Sequence, residues 1–229
     1  MANFVHHEPC PDCGSRDNLA RYDDGSAYCF GCGRYERPTN APQKALKRPT
    51  RPFPDLVDTL PARNRDWLLE RGLTLPEIDA YFQYAPELDR HVFMDFYNVG
   101  YIEARSVTGG QPKVLSYGVK PYLPIVSKRD TYYGWFVFVE DAISAIKVAR
   151  YVDAIPLFGS NIPGPVFARY ANMGYNIAIW LDYDKFKNSL EFVKRFTNMG
   201  VYARPICTKE DPKDVKDLAE ILSNHLTVV

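Results

Sequence analysis

The C-terminal half of the chain alternates continuous apolar runs with segments in which apolar residues recur at helical spacing. Strands are predicted for the runs WFVFV, AIPLF, IAIWL and VYARPI, which begin at Trp135, Ala154, Ile177 and Val201. Helices are predicted between them, over 141–151, over 165–173 and from Phe186 to Gly200. Strands that alternate with helices predict a parallel sheet covered by helices.

The middle of the chain carries a different pattern. Asn64 to Glu70 and Pro76 to Phe82 are predicted as two short helices, and Thr74 can cap the second. Beyond them apolar and polar residues alternate, as is typical of strands, in the segments HVFMDFY, YIEARSV and KVLSY. Turn signals at 98–100 and 108–110 separate these segments. The pattern predicts a small helical element followed by an antiparallel meander.

Two CxxC pairs lie near the N-terminus. Cys10 and Cys13 are followed, after fifteen residues, by Cys29 and Cys32. Two such pairs on facing hairpins can close a tetrahedral shell of four thiolates around one structural zinc, as in a zinc ribbon. Disulfides are the alternative, but five cysteines in 229 residues and no apolar signal sequence argue against an oxidising compartment. Residues 1–40 are too few to bury a core unaided, so we expect the metal to supply their folding energy.

Composition limits the possible partners. With 46% hydrophobic residues the chain can bury a core, and no apolar run approaches the roughly 20 residues of a membrane span, so we expect a cytoplasmic protein with no membrane partner. The 28 basic and 28 acidic residues balance, so nucleic-acid binding requires local segregation of charge. Residues 41–51 hold four basic residues and no acidic one. They are predicted as a flexible basic linker, which either contacts phosphate or only connects domains.

These patterns divide the chain into four parts. We predict a zinc-ribbon domain over 1–40, a basic linker over 41–51, a mixed α+β subdomain over 52–130 and a parallel-sheet domain over 131–229. The predicted fold class is therefore α/β, with a small zinc ribbon at the N-terminus.

Acidic residues follow several of the predicted parallel strands. Glu140 comes directly after WFVFV, Asp182 and Asp184 follow IAIWL, and Asp211 lies in the loop after VYARPI. Because the carboxyl ends of parallel strands meet along one edge of a sheet, these side chains can converge there. Carboxylate oxygens are the ligands that Mg²⁺ and Mn²⁺ prefer. A single acid is more simply a turn residue or a partner of a helix dipole, but three strand ends together favour a divalent metal site.

The segments VFVED, IWLDYD and KEDPKD resemble, in this order, the acidic motifs of the TOPRIM domain of primases and topoisomerases. Joined to the N-terminal CPDCGSRDN and YCFGCG, they resemble the primase half of a bacteriophage primase-helicase and, more distantly, bacterial replicative primases. The segment WLLERGLTLPEIDAYFQYAP is similar to the helical start of the primase polymerase region, and GYIEARSVTGGQPKVLSYG to its basic strand segment. The resemblance covers nearly the whole chain.

The resemblance implies a DNA primase, a nucleotidyltransferase that makes short RNA primers from ribonucleoside triphosphates on single-stranded DNA. It implies catalytic magnesium or manganese ligands at Glu140, Asp182, Asp184 and Asp211. Arg105 and Lys113 are implied to hold nucleotide phosphates. The sequence contains no GxxxxGK[ST] phosphate loop, so a separate replicative helicase is the expected partner, in the host cytoplasm if a phage encodes the chain. Asp141 replaces the usual TOPRIM glycine, as an extra ligand, a helix-dipole partner or a sign of altered metal geometry.

The ribbon is expected to contact the template strand. Its aromatic residues offer faces for base stacking, or else form the small core of the module: Tyr22, Tyr28, Phe30 and Tyr35. In the phage relatives a histidine that reads template bases commonly follows the Asp-Gly of the second hairpin, whereas here Ser26 does. The predicted nucleic-acid-binding residues are Arg16, Arg21, Tyr22, Asp24, Ser26 and Arg34.

Two other functions remain open from the sequence. A TOPRIM-type nuclease would use the same metal cage with water as the attacking group, although the basic segment and the ribbon disfavour it. A non-catalytic, DNA-binding replisome adaptor is motivated by Asp141 and the missing helicase motif. The fifth cysteine, Cys207, is predicted to be buried at the end of a strand. His6 and His7 are expected to face solvent, since four thiolates already close the zinc shell.

Overall fold

The computed structural model describes residues 3–36, 52–94, 100–128 and 131–226, and these residues form three four-stranded sheets. The predicted linker over 41–51 and the end of the predicted strand HVFMDFY lie outside the described residues. Within the described ranges, no helix combines the length and the apolar composition that crossing a membrane requires.

The N-terminal module is an antiparallel sheet in which each strand pairs with the next. Its strands are β1 (Phe4–Glu8), β2 (Leu19–Tyr22), β3 (Ala27–Cys29) and β4 (Tyr35–Glu36). The core cluster of this module contains Leu19 and Ala27 together with the cysteines of the two CxxC pairs. Each Å² of buried apolar surface contributes roughly 25 cal/mol. Since few apolar residues are buried in this module, the hydrophobic effect stabilises it only weakly.

Two short helices precede the second sheet, α1 (Ala62–Glu70) and α2 (Leu75–Tyr81). The Thr74 N–H donates to the Glu77 carboxylate at 2.8 Å, which fixes the start of α2. Phe82, predicted as the end of this helix, instead opens a strand that the sequence pattern did not indicate. The antiparallel sheet runs in chain order through β5 (Phe82–Ala85), β6 (Arg90–Met94), β7 (Tyr101–Arg105) and β8 (Val114–Gly118).

The C-terminal sheet is parallel, as predicted. In spatial order its strands are β10 (Asp153–Pro156), β9 (Trp135–Val139), β11 (Asn176–Trp180) and β12 (Ala203–Pro205). The helices of this half are α3 (Ala142–Val148), α4 (Gly164–Ala171), α5 (Phe186–Asn198) and α6 (Leu218–His225). Every residue of β9 is buried, because separate hydrophobic clusters cover the two faces of the sheet. The α/β fold class, with a ribbon-like module at the N-terminus, is confirmed.

The antiparallel and parallel sheets share one core. The ring of Phe158, which follows β10, lies 4.7 Å from the ring of Tyr101 and 5.7 Å from that of Phe93. Side chains alternate along a strand, so Glu103 and Arg105 lie on the same face of β7 as Tyr101. This face is directed at the parallel sheet, and a cleft opens beside the shared core.

Two arginines connect the parts of the molecule. The Arg150 guanidinium donates to both carboxylate oxygens of Glu77 at 2.7 Å, which joins the end of α3 to α2. Arg195 on α5 donates to the backbone carbonyl of Cys32 and lies 3.8 Å from the centre of the Phe167 ring. The ribbon is thereby anchored to the helices of the parallel sheet.

Cys207 is exposed, so the prediction that it is buried is wrong. The strand ends at Pro205, and Ile206 takes the buried position that follows it. The next side chain is therefore left on the solvent side of the chain.

Candidate functional site

The four clustered cysteines converge on one point. Cys10 Sγ lies 3.7 Å from Cys32 Sγ, Cys13 Sγ lies 3.7 Å from Cys29 Sγ, and all four sulfurs are within 4.8 Å of one another. A tetrahedron with Zn–S bonds of about 2.3 Å has sulfur–sulfur edges of about 3.8 Å. The four residues are free cysteines rather than disulfides. The cluster can therefore hold one zinc ion.

The surroundings oppose ionisation of two of these thiols, Cys10 and Cys32, and favour that of Cys13. Burial raises the pKa of Cys10 and of Cys32. Burial acts in the same direction on Cys13, but hydrogen bonds with Ser15 outweigh it and lower the pKa of Cys13 to about 7. A bound cation is what would hold the whole cluster as thiolates, because a buried, uncompensated thiolate is unfavourable.

The arginines predicted to bind template fall into two groups. Arg21 pairs with Glu8 at 2.7 Å and with Glu36, and Arg34 pairs with Glu36 at 2.9 Å. These ion pairs join β1, β2 and β4 to one another, so both guanidinium groups already have partners. Arg16, by contrast, is exposed to solvent.

The second hairpin and its surroundings present aromatic faces. Asp24 Oδ1 accepts a hydrogen bond from the Ser26 N–H at 2.9 Å, and Ser26 is buried. Phe30 and Tyr35 are 63% and 60% exposed, and Tyr28 packs edge-on against Phe30 with ring centroids 5.1 Å apart. The core cluster of the module contains none of these described rings. They are thus available for stacking rather than forming the small core.

A cleft of about 380 Å³ opens where the carboxyl ends of the parallel strands meet the antiparallel sheet. The parallel-sheet wall carries Glu140, Asp141, Asp182, Asp211 and Lys213. The opposite wall carries Glu103, Arg105 and Lys113. The structure thus brings together five of the residues predicted for catalysis or magnesium binding.

Glu140 and Asp182 lie beside each other at this edge of the sheet. Among the described residues, Glu140 Oε1 and Asp182 Oδ1 are buried without a hydrogen-bond partner. Burial raises the pKa of Glu140 to about 7, and the charge of Asp182 adds to the shift; burial likewise raises the pKa of Asp182. Unpaired buried carboxylates are unfavourable without a cation, and they are hard ligands that suit Mg²⁺. The pair fits a divalent ion.

Few of the acids lie close enough together to bind the same ion, which suits an ion that keeps most of its water ligands. Among the described residues, the four cysteines form a group of three or more ligand atoms close enough to share one ion, and the carboxylates form no such group. Mg²⁺ is commonly held by one or two carboxylates with water in its remaining positions. Two close carboxylates, Glu140 and Asp182, are therefore a sufficient protein contribution.

Asp184 lies apart from this pair. Its side chain is 69% exposed and forms an ion pair with Lys185 at 2.5 Å. Its charge still contributes to the raised pKa of Glu140, but Asp184 does not line the cleft. A metal-binding role for Asp184 stays a prediction.

Lys213 stands among the acids, and the sequence pattern did not indicate it. Its Nζ lies 2.7 Å from Asp211 Oδ2, 3.4 Å from Asp141 Oδ2 and 3.5 Å from Asp182 Oδ2. Burial acts to lower the pKa of Lys213, but the surrounding carboxylates raise it above its ordinary value. Asp141 Oδ1 accepts from the Ser144 N–H at 2.8 Å, so Asp141 also caps α3.

The opposite wall is held in place by a buried arginine. Arg90 donates to the carbonyls of Pro112 at 2.7 Å and of Lys113 at 3.0 Å, and so positions the loop that carries Lys113. Glu103 lies two residues before Arg105 on β7, and burial raises the pKa of Glu103 to about 7. The strand alternation of YIEARSV was the signal that could have placed Glu103 beside Arg105.

The chain is similar to known proteins in its fold but not in its sequence. No protein family model matches the chain, and no curated protein sequence is similar to it. The zinc-binding and RNA polymerase domains of Aquifex aeolicus primase are 11% identical to it, with a TM-score of 0.55 over 97% of this chain and 77% of that chain. The chain has a primase fold.

Two further solved structures show similarity to this primase fold. The primase fragment of the bacteriophage T7 primase-helicase is 15% identical, with a TM-score of 0.46 over 93% of this chain and 94% of that chain. A bacteriophage T7 lagging-strand DNA polymerase structure with primase domains, an RNA/DNA hybrid and dTTP gives 14% identity and a TM-score of 0.47, covering 98% and 97%. Identities this low do not establish a function.

Arg71 extends the cationic side of the cleft in this primase fold. Its guanidinium carbon lies 3.3 Å from the centre of the Trp67 ring, and that of Arg105 lies 5.6 Å from the same ring. A pocket of about 230 Å³ beside the ring is lined by Arg71 and Lys113. We call Arg71, Arg105 and Lys113 the basic wall. In the sequence Arg71 stands at the end of a short helix, where an arginine needs no special explanation, so no pattern indicated it.

Proposed function

We propose that this chain is a DNA primase, a DNA-directed RNA polymerase that makes short RNA primers on single-stranded DNA. One observation carries the proposal: the unpaired carboxylate oxygens of Glu140 and Asp182 share a single cleft with the cations Arg105 and Lys113. A nucleoside triphosphate requires both groups, because carboxylates hold the divalent ion on its phosphates while fixed cations bind the phosphate oxygens directly.

Primer synthesis joins a 3′-hydroxyl to the α-phosphorus of a nucleotide, with pyrophosphate as the leaving group. A divalent ion bound here would lower the pKa of the hydroxyl and neutralise the charge that develops on the phosphoryl oxygens. In this chain Glu140 and Asp182 would hold the ion, with Asp184 and Asp211 as the further predicted ligands. The basic wall would bind the triphosphate from the other side of the cleft and keep it in line for attack.

The ribbon is proposed to hold the template. Four thiolates around a structural zinc would fix its hairpins, and the exposed rings of Tyr28 and Phe30 are suited to stacking against unpaired bases. Arg16 is exposed and can approach a phosphate. We also propose that the chain works with a replicative helicase, in the cytoplasm of a host cell.

A primer-synthesis assay tests this proposal. Full-length protein is incubated with single-stranded DNA of mixed sequence, labelled ribonucleotides and Mg²⁺, and we expect short RNA products. Asp182→Asn should lower the yield about 1000-fold, the equivalent of about 4 kcal/mol of transition-state stabilisation. Asp79→Asn makes the same chemical change at an exposed position of α2 and should leave the yield unchanged.

The same incubation separates the two competing functions. A nuclease would shorten the DNA in a reaction that also depends on Asp182, because water would replace the 3′-hydroxyl in the metal site. A replisome adaptor would bind the DNA equally well before and after Asp182→Asn and give neither product. Either result, obtained with several template sequences, contradicts the primase proposal.

A further inference from the structure

The position of Lys213 differs from that of an ordinary surface lysine. Its ammonium contacts three carboxylates that follow three different parallel strands: Asp141 after β9, Asp182 after β11 and Asp211 after β12. The lysine side chain is only 18% exposed. A lysine is positively charged at neutral pH, so Lys213 occupies a point inside the acidic cluster where a cation would bridge its members.

Contacts outside the cluster hold both the loop that carries Lys213 and the side chain of Asp141 in place. The buried Lys147 of α3 donates to the backbone carbonyl of Lys213, which attaches the loop to the sheet domain. Asp141 is oriented by its other oxygen, which accepts from the Ser144 N–H at 2.8 Å. The Asp214 N–H donates to the Asp211 carbonyl at 2.8 Å and closes a turn around Lys213. The ammonium is therefore placed among the carboxylates by the fold of the loop.

The two oxygens of Asp182 have different surroundings. Asp182 Oδ2 is 3.5 Å from the Lys213 ammonium, whereas Asp182 Oδ1 is buried without a partner among the described residues. Glu140 Oε1 is unpartnered in the same way. Asp182 thus stands between an occupied cation position and an open one, as a carboxylate does when it bridges two metal ions about 3.5–4 Å apart.

We propose that Lys213 takes the place of a second divalent ion, so that the cluster binds one Mg²⁺ or Mn²⁺, at Glu140 and Asp182. The inference rests on the proposed function only in that both use this cluster as a metal site. Charge supports it: Glu140, Asp141, Asp182 and Asp211 together carry four negative charges when ionised, and Lys213 with one divalent ion supplies three positive ones. A second divalent ion would have to displace the ammonium or lie against it.

Counting bound Mn²⁺ tests the inference without any turnover. Mn²⁺ is titrated into full-length protein with its ribbon loaded with zinc, and free Mn²⁺ is measured by electron paramagnetic resonance. We expect one tightly bound ion in the unmodified protein and two in Lys213→Met, with the spectrum of the bound pair broadened by their proximity. Lys213→Arg keeps the charge and should bind one ion. Lys187→Met removes an exposed lysine of α5 and should also leave the number at one.

Other outcomes overturn the inference. Two ions in the unmodified protein would mean that the ammonium leaves when metal binds, and one ion in a folded Lys213→Met would mean that it blocks nothing. Tryptophan emission and zinc content establish that each variant is folded. The primer assay distinguishes this failure from that of the proposed function: primers made by a protein that binds two Mn²⁺ ions overturn only the role of Lys213. A change from one ion to two in a protein that makes no primers overturns only the primase proposal.

Discussion

The molecule contains two candidate cation sites that relate to the fold in opposite ways. In the ribbon, the ligands are the core: Cys10, Cys29 and Cys32 are buried in the same cluster as Leu19 and Ala27. In the parallel-sheet domain, the carboxylates lie at the edge of a sheet whose two faces are each covered by a large hydrophobic cluster. The cluster around the first site adds only two further buried apolar residues to the cysteines, whereas each cluster around the second contains many.

This difference indicates what each metal contributes. A ribbon without its ion loses its principal stabilising interaction, so metal binding and folding are one event. The sheet folds by hydrophobic burial, and its acids oppose folding because Glu140 and Asp182 are partly buried with unpartnered oxygens. A zinc ion in the ribbon would therefore serve the structure, whereas a divalent ion in the cleft would serve the proposed chemistry and relieve only a local instability.

The largest expected effect comes from removing zinc. Chelation, or Cys13→Ser, should unfold residues 3–36, because a structural zinc in a small module contributes about 10–16 kcal/mol of apparent binding free energy. Hydrogen exchange of the ribbon amides should then reach the rate of an unfolded chain. The three tryptophans, Trp67, Trp135 and Trp180, all lie outside the ribbon, so their emission should report an intact remainder.

The control for this experiment is Cys207→Ser, which alters the exposed cysteine that lies outside the cluster and should leave zinc content unchanged. The comparison between the two sites would break down if chelation shifted the tryptophan emission to that of the denatured protein. The ribbon would then be supporting the sheets as well as itself.

Local patterns were sufficient to predict most of the fold. The CxxC spacing indicated the ribbon because ligand geometry is set within each pair, and the apolar run WFVFV indicated a buried parallel strand because both faces of β9 are covered. The strand β5 was missed because it follows α2 directly, with no turn residue between them. The helix α6 was also missed, although Asp217 caps it and Leu218 and Leu222 share a helical face.

The candidate site was predictable only in part, since strand ends can be located in a sequence and distances between loops cannot. Glu140, Asp182 and Asp211 could be placed at one edge because parallel strands share their direction. The contact of Lys213 with Asp141 joins positions that only the folded loops bring together. The exposure of Cys207 likewise depends on where β12 ends, a boundary that apolar pattern does not define.

A smaller effect is expected from neutralising the acidic site. The pKa of Glu140 is raised to about 7 from an ordinary value of 4.5, so the folded state binds its proton more tightly than the unfolded state does. Stability should therefore fall as pH rises from about 4.5 through about 7. Glu140→Gln removes this loss of stability. In the zinc-loaded protein at pH 8 without added Mg²⁺, it should raise the melting temperature by about 2–4 °C, which corresponds to about 1 kcal/mol of unfolding free energy once solvent screening is allowed for.

Magnesium makes this second test specific. Mg²⁺ should raise the melting temperature of the unmodified protein at pH 8 and leave that of Glu140→Gln unchanged. Glu191→Gln, at an exposed position of α5, should behave like the unmodified protein in both conditions. A Glu140→Gln protein less stable than its parent at pH 8 would show that this carboxylate supports the fold, contrary to the distinction between the two sites.

The smallest expected effect concerns the contact between the ribbon and the sheet domain. Arg195 donates to the backbone carbonyl of Cys32, which is itself a predicted zinc ligand, and its guanidinium stacks on the ring of Phe167. Arg195→Met keeps an apolar side chain on Phe167 but removes the hydrogen bond and the cation–π attraction, which are worth about 1 kcal/mol together at a partly exposed site. We expect zinc to leave for a coloured chelator about 3- to 10-fold faster, with the melting of the sheets unchanged.

Lys194→Met is the matched control, because it removes a neighbouring exposed charge of α5 that lies one residue away from the contact. Equal rates of zinc loss in Arg195→Met and in the unmodified protein would mean that the ribbon is stabilised by its metal alone. A faster rate confined to Arg195→Met would mean that docking on α5 supplies part of the stability that the small ribbon core lacks, which would make the sheet domain a contributor to the structural metal site. Packed helices of the sheet domain would then stabilise the thiolate site as well as the carboxylate site. The two sites would differ in how much of their stability comes from those helices, and no longer in whether any of it does.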